Sequence, residues 1–133
     1  MPITVLWDDP EQRTTVLWVF EGVWSWADFA AAEQNAILMC QGITYPLDHI
    51  VDMSALKLSP TDLLARGRSI YSEKTDFEAG LTVLVGANRF IESVVSIFKQ
   101  VTPQRFKNYQ LAASLDSARE LIRRFHAETR VEQ

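Results

Sequence analysis

The chain has 133 residues, 47% of them apolar and 23% charged, the balance of a folded soluble protein and a length that fits one domain across residues 1–133. A formal net charge of −4 excludes the basic field of a general nucleic-acid binder, and no apolar run approaches the roughly 18 residues that span a bilayer. Cys40 is the single cysteine, which excludes an intrachain disulfide, and one thiol with two histidines makes no recognisable metal spacing, so neither metal nor cofactor is expected.

The opening "MPITVLWDDPEQ" shows neither a basic n-region nor a long apolar core. With the lone thiol, this places the expectation in a reducing cytoplasm. Charge is uneven: residues 1–98 carry 13 acids and 6 bases, residues 99–133 carry 4 and 7. A solvated C-terminal helix accounts for the basic end, and an acidic partner or neighbouring subunit is the functional alternative.

"ITVLWDD" and "TTVLWVFEG" are β-branched runs separated by the polar, proline-bearing "DDPEQR", which predicts an antiparallel hairpin. Val5 and Trp7 share a face in the first strand, Val16 and Trp18 in the second, and the two tryptophans are expected opposite each other. "WSWADFAAAEQNAILMCQG" predicts a helix with Ser25 as cap, Asp28 three residues on, and Gly42 as stop. Phe29, Ala32, Ala36, Ile37 and Cys40 form its apolar side.

"LDHIVDM" predicts a third strand that ends on Asp52-Met53-Ser54. Leu47, His49, Val51 and Met53 point one way; Asp48, Ile50 and Asp52 point the other. Ser59-Pro60-Thr61-Asp62 reads as a helix start, with Ser59 as cap, proline at the first position and an acid in the first turn. That helix continues through Leu63, Leu64, Gly67, Ile70 and Tyr71. "GLTVLVGA", apolar and bounded by glycines, predicts a central strand covered on both faces.

Asn88 caps the next predicted helix, whose apolar positions Phe90, Ile91, Val94, Val95, Ile97, Phe98 and Val101 fan over a wider arc than the usual core stripe of about 100°. The excess is assigned to a margin at Ile91 and Val95 that faces a partner, or to burial on two sides. "NYQLAAS" is a last short strand. Ser114 or Asp116 opens a final helix with Leu115, Ala118, Leu121, Ile122 and Phe125 inward. The order β-β-α-β-α-β-α-β-α implies an α/β fold with a single mixed sheet, a parallel centre and right-handed crossovers.

Five stretches resemble the STAS domain of sulfate-transporter tails and anti-sigma factor antagonists, nearest its divergent STAS/SEC14-like branch: the "WD" closing the first strand, "EGVWSWADF", "HIVDMS", "VLVGANRF" and "SLDSARELI". The resemblance covers nearly the whole chain. It implies a non-enzymatic domain that works by protein–protein contact, expected here as a homodimer. It also implies a switch. In the antagonists a similar strand ends in Asp-Leu-Ser and a serine at the start of the next helix is phosphorylated; laid from Asp52, that position falls on Ser59. The antagonists carry Asp-Ser-Ser-Gly there, whereas this chain has Leu58-Ser59-Pro60, so a helix cap is the competing reading.

The candidate partner-binding residues are thus Ser54, Ser59, Thr61 and Asp62 at the second helix start, and Asn88, Arg89, Ile91 and Val95 at the third. For Asp52 and Ser54, a polar lip of a cleft competes with simple capping of the local turn. His49 lacks any nucleophile motif and reads as a hydrogen-bonded, partly buried side chain rather than a base. Four early tryptophans, Trp7, Trp18, Trp24 and Trp26, are either core or the lining of a pocket for an apolar small molecule such as a lipid.

Overall fold

The computed structural model describes residues 2–58, 60, 62–63, 80–101 and 108–131. β1 (Ile3–Trp7) and β2 (Thr15–Val23) form the hairpin, α1 is Trp26–Met39, β3 is Asp48–Leu58 and β4 is Thr82–Val85. α2 (Arg89–Val101), β5 (Tyr109–Ala112) and α3 (Leu115–Val131) complete the described elements. The second predicted helix falls mainly outside the described residues, as do Ser59 and Thr61.

The five strands lie in the order β1-β2-β3-β4-β5. β1 pairs antiparallel with β2, and every later pair is parallel. The architecture is the predicted α/β fold on one mixed sheet. Asp9 shapes the hairpin connection by accepting the N–H groups of Thr14 and Thr15 and the Thr14 hydroxyl. The register corrects one expectation: Trp7 stands opposite Val16 and Trp18 opposite Val5, so the two indoles are offset rather than paired.

The two sheet faces carry different layers. Ile3, Phe20, Trp24 and Ala32 form a buried cluster with Trp18, Phe29, Val51 and Met53 under α1. Leu84, Ile91 and Val95 continue that layer under α2 and share Val51 and Met53 with it. On the opposite face, Ile50, Leu81, Val83 and Val85 pack against Ala118 and Ile122 of α3. All four β4 residues are buried, as a strand covered on both sides requires.

β3 does not stop at Met53. It runs to Leu58 because β2 itself extends to Val23 and supplies ladder partners for Ala55, Leu56 and Leu58. The polar signal in the sequence marks a bulge instead. Val19 pairs Asp52 and Glu21 pairs Ala55, leaving Met53 and Ser54 against Phe20 alone. Asp52 Oδ1 accepts the Ser54 N–H (3.0 Å) and hydroxyl (2.7 Å), satisfying groups that the ladder leaves there.

Candidate functional site

Parallel strands deliver their following loops to one edge, so Asp62, Asn88 and Arg89 come to the carboxyl-terminal side of the sheet, and the β3 bulge at Ser54 lies level with the end of β4. The contact that joins two of these stretches is at Gly86. Its φ of 66° is left-handed, and a Cβ built there would lie 2.7 Å from Ser54 Oγ and 2.9 Å from Ser54 Cα. Only glycine lets the loop after β4 lie this close to the β3 bulge. Gly86 N–H also donates to the Ala112 carbonyl (3.1 Å), which brings the end of β5 to the same place.

The result is an open cleft of about 480 Å³ lined by Gly86, Ala87, Glu92, Leu111, Ala112 and Ala113. Asn88 stands at its rim as the cap of α2, its Oδ1 accepting the Ile91 N–H at 2.9 Å. Arg89, Phe90 and Glu92 are exposed beside it. Among the described lining residues, Glu92 is the one ionisable side chain.

Asp62 is exposed and accepts the indole N–H of Trp26 at 2.9 Å, which ties it to the start of α1. Neighbouring Leu63 packs against the α1 and α2 clusters. Ile91 and Val95 are not on a margin: they are 4% and 9% exposed, in contact with the cluster around Leu84. Among the described side chains of α2, the solvent-facing large apolar ones are Phe90 and Ile97, 51% and 41% exposed. A strand below and Leu63 beside α2 cover two flanks of the helix, which moves the uncovered part of the wide arc to those positions.

Trp18, Trp24 and Trp26 join one aromatic cluster. The Trp24 ring meets Phe20, Trp26 and Phe29 at centroid separations of 5.3, 5.2 and 6.1 Å, and Trp18 stacks on Phe29 at 6.3 Å. These rings fill the space between α1 and the hairpin with one another. Trp18 also donates its indole N–H to His49 Nδ1 at 3.2 Å. Burial pushes the His49 pKa down to about 4 against the opposing attraction of Asp48, so the ring is neutral near pH 7.

At the opposite edge of the sheet lies an arrangement the sequence reading missed. Asp48 is 2% exposed. Its Oδ1 accepts the Leu81 N–H at 2.8 Å, and its Oδ2 lies 2.6 Å from His126 Nε2 on α3. Gly80 leaves room for this carboxylate, since a Cβ there would overlap Oδ1. A charge at an inward position of a strand, followed far along the chain by a glycine before an apolar run, is the one trace it leaves in the sequence.

No family model matches the chain, and no curated protein matches it. Among solved structures it is similar to an uncharacterised protein of the DUF3478 family from Shewanella loihica PV-4, described as having a SpoIIAA-like fold. The match has a TM-score of 0.63 at 12% identity and covers 90% of this chain and 91% of that one. The fold is SpoIIAA-like, that is, STAS. Within this STAS fold the β3 bulge and the loop after β4 meet through Ser54 and Gly86, and among the described residues no helix is long and apolar enough to cross a membrane.

Proposed function

We propose that this STAS-like domain is a protein-interaction or regulatory module that carries out no chemistry of its own and works in the cytoplasm as a homodimer. The observation that carries this reading is the contact of Gly86 with Ser54, which fuses the β3 bulge and the entry to α2 into one exposed lip with Asn88 and Arg89. A rigid, shaped loop edge above a packed sheet suits recognition of another surface. Among the described residues, His49 bonds to Trp18, Asp52 to Ser54, and Asp48 to Leu81 and His126, so these polar side chains have partners within the fold.

The test is site-specific photo-crosslinking in the source cells. A photoreactive side chain at Arg89 should yield a discrete adduct with one protein, and the same group at Glu128, exposed on α3, should not. Equal labelling from both positions, or none from Arg89, sinks the reading. A charge switch at Ser59 belongs to the same proposal: Ser59→Asp and Ser59→Ala should then differ in the yield of the Arg89 adduct, and equal yields leave the residue as a cap.

A further inference from the structure

Surface helices normally turn charged side chains to water. α3 does so with Asp116, Arg119, Arg123, Arg124 and Glu128, all exposed. α1 does not. Its exposed residues are Ala27, Ala30, Ala31, Gln34, Asn35, Ile37 and Leu38, without a single charge. Its two acids, Asp28 and Glu33, are half-buried at the borders of the inner face, where Asp28 completes the capping box with Ser25. Leu38 is 62% exposed and Ile37 45%.

The centre of this outer face repeats every three or four residues through Ala27, Ala31, Gln34 and Leu38, the spacing of a helix–helix seam. We infer that the outer face of α1 docks on the same face of a second copy of this chain, antiparallel across a twofold axis near residues 31–34. The proposal rests on the self-association in the functional reading above and assigns its surface.

Charge and size select this occupant. Each copy carries a net charge of −4, so two copies approach best through a face that brings no like charges together. The seam is also complementary to itself in one direction only. Antiparallel pairing about the helix centre sets the large Leu38 against the small Ala27 of the other copy, and Ala31 against its Gln34. Parallel pairing would put leucine on leucine at one end and leave alanine facing alanine at the other. Small residues let the axes approach to about 8 Å. The 14-residue helix is only about 21 Å long, so the contact falls below the roughly 800 Å² per partner of a standard interface. The dimer is therefore concentration-dependent, not obligate.

Sedimentation equilibrium from 1 to 500 μM tests this. The wild-type chain should pass from monomer to dimer within that range. Ala31→Glu should weaken association at least tenfold, and Ala31→Glu with Gln34→Lys should recover it, because the new charges meet across the axis. The exposed Ala31→Glu change should leave the thermal midpoint of the monomer unmoved. A large fall in that midpoint would mean that the chain's own residues cover the face, and would overturn the proposal. A wild-type dimer insensitive to both variants would overturn the α1 assignment while leaving self-association standing. A monomer throughout would remove both.

Discussion

Single atoms decide several features of this molecule. Gly86 holds a left-handed φ of 66° and lies against Ser54, so Gly86→Ala meets both a backbone penalty and a steric one. A loss of about 2 kcal/mol or more in chemical denaturation is expected. Gly80 is constrained by a side chain instead. Gly80→Ala should destabilise the wild type, yet much less in an Asp48→Ala background, because the atom it strikes is Asp48 Oδ1. Additive losses in that double-mutant cycle would show that the carboxylate is not what Gly80 accommodates. His49 supplies a pH dependence. Its folded-state pKa of about 4 lies below the ordinary 6.5, so the unfolded chain takes the proton first. The contribution of the neutral ring is complete above pH 6.5 and declines as pH falls towards 4, by at most roughly 3 kcal/mol. Urea midpoints at pH 7 and pH 4.5 should converge more strongly in His49→Gln than in the wild type.

At the scale of elements, α1 depends on its start. Ser25 accepts the Asp28 N–H at 3.2 Å and Asp28 returns the bond to the Ser25 N–H at 2.8 Å. Ser25→Ala should cost about 1 kcal/mol, read as a lower thermal midpoint. α2 offers a contrast between neighbours. Ile91→Ala removes a buried side chain and should cost about 2–4 kcal/mol, whereas Phe90→Ser, half exposed one residue earlier, should shift stability by less than about 0.5 kcal/mol.

Local chemistry made these helix starts legible in the sequence: Ser25 with Asp28, Asn88 before α2, and Ser114, whose hydroxyl accepts the Ser117 N–H at 3.1 Å. The apolar run of β4 and the stripe of α3 were legible for the same reason, since burial follows directly from composition and period. The length of β3 was not, because its last residues are held by β2, a partner more than thirty residues away in the chain. Nor could the sequence say which part of α2 faces water, as that depends on where Leu84 and Leu63 arrive. The candidate site was read in part. Its residues Ser54, Asn88 and Arg89 were named, but the glycine contact that joins them is a property of the assembled sheet.

For the whole molecule, the sheet is covered unequally. α1 and α2 share one face, while α3 covers β3, β4 and β5 on the other. α3 is also tied to the first hairpin: Arg119 reaches both carboxylate oxygens of Asp8, at 2.9 and 3.1 Å. Because Arg119 is 47% exposed, Arg119→Ala should cost no more than about 1 kcal/mol and less in high salt.

The order in which the chain is made gives α3 a further significance. It is the last described element to be synthesised, yet it shields Ile50, Val83 and Val85 and grips residues from both β3 and the opening loop. A ribosome-bound chain ending before residue 115 therefore lacks the cover that α3 gives to Ile50, Val83 and Val85.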